Sequence, residues 1–178
     1  MKTRRPLAIV AAAGLAIGLS ACGSSSTSNQ STSTSTTINA KTITPIPAAD
    51  LSPAGTAGKA PQVIVPSTPA PKNLEVADLI TGTGPKAKAG DAVQVQYVLA
   101  TYSSGGVVQS SWTSQPFSFT LGAGKVIEGW DLGVVGMQAG GRRELIIPAA
   151  LGYGAQSPGP GIAANDTLVF VIDCISTT

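Results

Sequence analysis

The sequence predicts an α+β domain: an antiparallel sheet with one short helix on one face, preceded by a long unstructured stretch. Three observations carry this. Short runs after about residue 74 alternate apolar and polar residues with a period of two, the signature of half-buried strands. Only one segment among them, Lys125–Met137, reads as helical. Before them, residues 23–72 are rich in Ser, Thr and Pro and poor in groups that could build a core.

The first residues form a processing signal. Lys2, Arg4 and Arg5 are followed by a 14-residue apolar run, Pro6–Leu19. A membrane span needs roughly 20 apolar residues, so this run fits the core of a secretory signal instead. It ends in Leu19-Ser-Ala-Cys22, which resembles the bacterial lipobox, and residues 1–21 are read as a lipoprotein signal peptide. Cleavage before Cys22 and lipidation of its thiol would give the chain stable anchorage to the outer face of the bacterial cell membrane, because two acyl chains suffice for it. Residues 22–60 then form a disordered tether. Its first part is Ser/Thr coil, and 38–72 holds seven prolines that stiffen it. About fifty such residues reach roughly 40 Å by the square-root rule. Pro61–Pro66 (PQVIVP) is apolar enough to dock as an edge strand, so the domain is placed at 61–178 with its core at 74–178.

Asp91–Leu99 puts Val93, Val95 and Tyr97 on one face and Gln94 and Gln96 on the other. Ser103–Gly106 reads as a turn and Val107–Trp112 as the next strand. Phe117, Phe119 and Leu121 alternate again. Arg143–Ile147 is a further strand, and Thr167–Ile175 a long central one. The helical candidate contains three glycines that each cost about 0.8–1 kcal/mol relative to Ala, so only a short helix is expected. Short strands and one helix make a sheet covered on one side.

Composition excludes several functions. The chain of 178 residues has 11 Lys and Arg against 9 acids, but three of the basic residues fall in 1–21, so the remainder carries about −1. A nucleic-acid binder needs a clustered basic face, which is missing. With no His there is no Ser-His-Asp triad and no His-ligated metal, and two cysteines cannot supply a thiolate zinc site. Cys174, in an apolar run, reads as a small buried hydrophobe. No unmatched apolar stripe or heptad suggests an oligomer, and a monomer is expected.

Several blocks in register resemble the FKBP-type peptidyl-prolyl cis-trans isomerases. They are Val95-Gln-Tyr97, Ser110-Ser111, Pro116-Phe-Ser-Phe119, Leu121-Gly122, Val126-Ile-Glu-Gly-Trp130, Gly152-Tyr-Gly154 and Asn165-Asp-Thr-Leu-Val-Phe170. The resemblance implies a five- to six-stranded antiparallel twisted sheet wrapped around one short helix. It also implies prolyl isomerisation on X-Pro segments, with no metal and no cofactor. The implied catalytic pocket has Trp130 as its floor and Tyr97, Phe117, Val126, Ile127, Tyr153 and Phe170 around it, with Val108, Gln109 and Ile162 at the substrate-binding margin. The Ile127 N–H and the Tyr153 hydroxyl are the implied donors to a bound carbonyl. Phe119 and Leu168 read as core.

The chemistry suits such a pocket. The prolyl amide rotates over a barrier of about 18–20 kcal/mol. Its twisted transition state has lost amide resonance and polarity, so an apolar, water-poor cleft favours it without nucleophile or base. A ten-thousandfold acceleration requires about 5.5 kcal/mol of such preference. Two stretches depart from the family pattern: Val108 and Gln109 stand where Phe and Asp are usual, and Ala163-Ala164 replaces the usual Pro-Pro after Ile162. These departures imply weak binding of the macrolides tacrolimus and rapamycin and reduced catalysis. They keep open an alternative, a catalytically weak or inactive peptide-binding or chaperone module. Gly105–Phe119 is continuous, leaving no room for an inserted chaperone flap.

Overall fold

The structure, a computed structural model, describes residues 42–178. The signal peptide, Cys22 and the Ser/Thr-rich run lie outside the described residues. Seven strands and one helix follow in chain order: β1 (Ile43–Pro45), β2 (Leu74–Ile80), β3 (Ala92–Thr101), β4 (Gly106–Ser110), β5 (Phe117–Thr120), α1 (Glu128–Gly133), β6 (Arg142–Ile147) and β7 (Leu168–Thr177). They form one sheet in the order β1-β2-β6-β7-β3-β4, with β5 pairing the first half of β3. The sheet is mixed, because β1 runs parallel to β2 while every other pairing is antiparallel. The antiparallel sheet around one short helix stands as expected, and β1 and β2 are the strands the sequence did not suggest.

The long β3 is the organising strand. Its first half faces β5, its second half faces β4, and β7 runs along its whole length. A bulge between Leu99 and Ala100 in the β3–β4 pairing bends β4 beside the pocket described below. The concave face holds the main core: Leu74, Val93, Val95, Leu99, Leu121, Leu145, Ile147, Leu168 and Ile172, all 1% exposed or less.

The helix is six residues long, the short helix expected within Lys125–Met137. Its glycines explain why. A Cβ on Gly129 would lie 2.4 Å from Ile147 Cγ2, and one on Gly133 would lie 2.7 Å from Leu145 Cδ2. Close seating on β6 therefore demands glycine, at the expense of helix propensity. Ile127 is extended (ψ 147°) and starts the helix, and Gly136 ends the following turn in the left-handed region at φ +78°.

The second face of the sheet is also covered, and here the tether expectation is corrected. Residues 42–60, read as unstructured, pack on the sheet. The edge strand is Ile43–Pro45, whereas 61–66 forms no strand. Instead Val63 and Val65 pack on a smaller cluster of Ile46, Ala100, Ile146 and Val169, between the buried Pro61 and Pro66. Composition alone misjudged this stretch. A preformed sheet face supplies the apolar surface the segment lacks, and its prolines have little unfolded-state entropy to lose.

Polar bonds fix the same stretch. The carboxylate of Glu144, fully buried, accepts the Ser52 N–H at 2.8 Å and the Ser52 hydroxyl at 2.6 Å. Arg142, 1% exposed, donates to both oxygens of Asp173 (2.6 and 2.7 Å) and to the carbonyls of Ala54 (2.7 Å) and Lys59 (2.6 Å). Its neighbour Arg143 pairs with Asp78 and also donates to the carbonyls of Gly133 and Val135, tying the end of α1 to β6. Both arginines are thus paired and hydrogen-bonded, as burial requires, whereas Glu144 is held by the Ser52 hydrogen bonds alone. Cys174 is buried as expected, and desolvation raises its thiol pKa, with Arg143 pulling the other way.

Candidate active site

Seven parts of the chain converge on one cleft above α1. β3 supplies Tyr97, β5 supplies Phe117, and the loop before α1 supplies Gly124, Lys125, Val126 and Ile127. The helix supplies Trp130, the turn after β6 supplies Tyr153, and β7 supplies Phe170. The cleft encloses about 390 Å³. All seven residues that the sequence places in the pocket line it, and Gln109 joins them from β4.

Trp130 is the hub. Its ring meets Tyr97 at 5.3 Å, Phe170 at 5.2 Å and Phe117 at 6.0 Å between centroids, each close to perpendicular. Edge-to-face contacts of this kind are worth about 0.5–1.5 kcal/mol each beyond area burial, and they fix the indole plane as a rigid floor. Among the described residues its buried indole N–H has no hydrogen-bond partner. Phe119 stacks on Phe117 and leans on Trp130 from below, and neither it nor Leu168 lines the cleft.

The Ser110-Ser111 pair has a structural role at this site. The Ser111 hydroxyl accepts the Tyr97 N–H at 2.8 Å and bonds to the Gln96 side chain, while the Ser111 N–H reaches the Tyr97 carbonyl at 3.0 Å. Tyr97 is thereby locked on β3. The loop before α1 is held in the same manner: Asp131 accepts the N–H groups of Gly122 (2.8 Å) and Gly124 (2.9 Å). Both carboxylate oxygens therefore fix the wall that carries Lys125, Val126 and Ile127.

Two of the lining residues, Ile127 and Tyr153, carry the implied hydrogen-bond donors. Ile127 precedes the first helical turn, so its N–H has no carbonyl to reach within α1. Burial raises the Tyr153 hydroxyl above its ordinary pKa, and burial first, then Tyr153, does the same to Tyr97, so both phenols hold their protons at neutral pH. A second cavity of about 360 Å³ lies alongside, lined by Val108, Gln109, Tyr153, Pro158, Gly159, Pro160 and Ile162. Gln109 and Tyr153 belong to both, so Val108 and Ile162 stand in the side cavity and not in the main one. The sequence reading missed Gly124, Lys125, Pro158 and Pro160 as lining residues. Lys125 adjoins Val126-Ile-Glu-Gly-Trp130 and was legible from that adjacency.

The lining holds phenols, one amide, one ammonium and apolar groups, with no carboxylate, thiol or imidazole. It can hold a ring-sized apolar group over an indole and hydrogen-bond a neighbouring carbonyl. Such a site acts by shape and polarity, not by covalent or acid–base steps. Among the described residues no cluster of His, Cys, Asp and Glu could hold a metal ion.

Comparison with known proteins gives this site its family. The sequence model of the FKBP-type peptidyl-prolyl cis-trans isomerases matches residues 84–175. A "FK506-binding protein" of Streptomyces anulatus is 48% identical over 118 residues, covering 65% of this chain and 95% of that one. A "FK506-binding protein 4" of Rhizopus delemar is 43% identical over 109 residues; the match covers 61% of this chain but only 28% of that longer protein. The crystal structure of a peptidyl-prolyl cis-trans isomerase from Pseudomonas syringae superposes with a TM-score of 0.53 at 32% identity, covering 63% of this chain and 84% of that one. The chain belongs to the FKBP-type peptidyl-prolyl cis-trans isomerase family.

Proposed function

We propose that this family member is a prolyl isomerase held outside the cytoplasmic membrane through lipidated Cys22, where it assists the folding of exported proteins. The observation that carries the catalytic part is the ring of Tyr97, Phe117 and Phe170 around the Trp130 floor, with Tyr153 and Ile127 lining the same cleft. A proline ring seated on Trp130 places its amide among groups that solvate a twisted, less polar C–N unit better than water does. The donors then hold the flanking carbonyl. The anchoring part rests on the basic start, the 14-residue apolar run and Leu19-Ser-Ala-Cys22. Among the described residues no helix is long and apolar enough to cross a membrane.

A second reading is favoured by Gln109, which borders both cavities where the family's usual residue is Asp, and by Val108 beside it. In that reading the cleft binds X-Pro segments with little or no turnover. NMR exchange of an X-Pro peptide separates the two. Acceleration by the wild type that is lost in Trp130→Ala supports the isomerase; none in the wild type, with a gain in Gln109→Asp, supports the binding module. Gln109→Asp is also expected to tighten tacrolimus and rapamycin, checked by titration against the wild type. Fractionation of cells tests the anchor: Cys22→Ala should release the protein from the membrane fraction, and unchanged partitioning would remove the lipid from the proposal.

A further inference from the structure

The two adjoining cavities have 15 distinct lining residues, and only one of them carries a formal charge, Lys125. Acids lie near it in sequence but are otherwise employed. Asp131 turns both carboxylate oxygens into its own loop, onto the N–H groups of Gly122 and Gly124, and Glu128 is exposed, engaged elsewhere and absent from the lining. At the position where the family usually places Asp, the wall is the neutral Gln109, shared by both cavities. The loop that presents Lys125 is fixed by Asp131, so the backbone carrying this side chain needs no further ordering, and only the side chain itself must be ordered. An extended segment with its proline over Trp130 runs past this rim on one side and toward Gln109 and the side cavity on the other.

We propose that Lys125 makes the cleft select X-Pro segments that carry a carboxylate side chain beside the proline, and discriminate against those that carry a cation there. This rests on the reading of the cleft as an X-Pro site. Lys125 is exposed, so the attraction is that of a solvated pair, screened by salt over about 8 Å at physiological ionic strength. Between a peptide with Glu and one with Lys at the same place, a difference of about three- to tenfold is expected at low salt. Gln109 adds no repulsion of its own, whereas a carboxylate there would oppose an acidic segment.

The test uses the full chain and peptides that differ only in having Ala, Glu or Lys immediately before or immediately after the proline. Both catalysed cis/trans exchange and binding, the latter from chemical-shift changes at the Trp130 indole, are measured at low and high salt. The expected result is a Glu peptide favoured over its Lys counterpart by three- to tenfold in one of the two positions. The difference should shrink at high salt, vanish in Lys125→Ala and invert in Lys125→Glu. Lys72→Glu makes the same change of net charge away from the cleft and should keep the wild-type order. Equal binding and equal exchange of Glu and Lys peptides would overturn the proposal, and so would a preference that Lys72→Glu alters as much as Lys125→Glu does. If the Ala peptide is neither bound nor isomerised, the X-Pro reading itself fails. If the Ala peptide is isomerised without charge discrimination, only the role of Lys125 fails.

Discussion

The two faces of this sheet are both buried, but by opposite means. On the concave face, Tyr97, Leu99, Leu145, Phe170 and Ile172 pack against one short helix, and the aromatic end of that layer stays open as the cleft. On the other face, Ala100, Ile146 and Val169 are covered by residues 42–66, which bring little apolar mass and rely on bonds to Glu144 and Arg142. The comparison teaches where specificity comes from. The open face holds its geometry by ring packing, with the polar groups at the margin free for a ligand. The closed face spends its polar groups on docking a segment of its own chain. β6 shows the difference within one strand: Leu145 and Ile147 serve the core, while Glu144 and Ile146 serve the covering segment.

The most damaging change should be removal of the covering segment. A chain starting at residue 73 exposes Ala100, Ile146 and Val169 and loses the burial of Ile46, Val63 and Val65. A loss of roughly 4 kcal/mol or more is expected, read as a lower urea midpoint and binding of an apolar dye. Retention of the full midpoint would reduce the segment to a passive wrapping. Next is Trp130→Ala, which empties the hub of the other face. It should cost about 3–5 kcal/mol in denaturant melts, so its effect on peptide exchange is to be read well below the midpoint. The two changes would thus rank the faces by stability.

Ser52→Ala is finer. It removes the hydroxyl bond to Glu144 and the acceptor of the Ile64 N–H but leaves the Ser52 backbone bond, for an expected loss of about 1.5–3 kcal/mol. The same contact makes the closed face pH-sensitive. Burial raises the Glu144 carboxyl above its ordinary range, the two Ser52 bonds lower it in part, and the charge of Asp50 raises it again. The folded state therefore holds this proton at a pH where the unfolded chain has released it. Stability from this group is full below the ordinary carboxylate range and falls as pH rises through the raised value. Hydrogen exchange of the segment's amides should accelerate over that interval, and Glu144→Gln should flatten the dependence. The smallest effect is expected on the open face: Tyr153→Phe keeps the ring and removes one donor, so peptide exchange should slow by severalfold with the melt almost unmoved.

Much of the open face was legible. Alternation along Asp91–Leu99 placed Val93, Val95 and Tyr97 together, and the register of Val126-Ile-Glu-Gly-Trp130 with Gly152-Tyr-Gly154 placed the cleft residues. Both signals are short-range or carried by spaced motifs. The helix and its shortness were legible from its glycines, but propensity says nothing of how closely Gly129 and Gly133 must approach β6. The closed face was hardly legible. The unbroken apolar run Leu168–Ile172 did mark a strand without the alternation of a half-exposed one, but of its cover only Pro61–Pro66 was marked as docking, and as an edge strand.

By itself, then, the sequence determined β3 to β7 and the single helix, because side-chain period is a property of the local chain, and its resemblance to a known family implied the aromatic membership of the cleft. Only the tertiary structure decided that residues 42–60 belong to the domain, that β1 adds in parallel, and that Glu144 and Arg142 are buried. Ser52 and Glu144 lie 92 residues apart. A weakly apolar segment gains its order from a surface that exists only once β2, β6, β7 and β3 have paired. The free energy of that docking belongs to the pair of surfaces and leaves no periodic mark on either stretch of sequence.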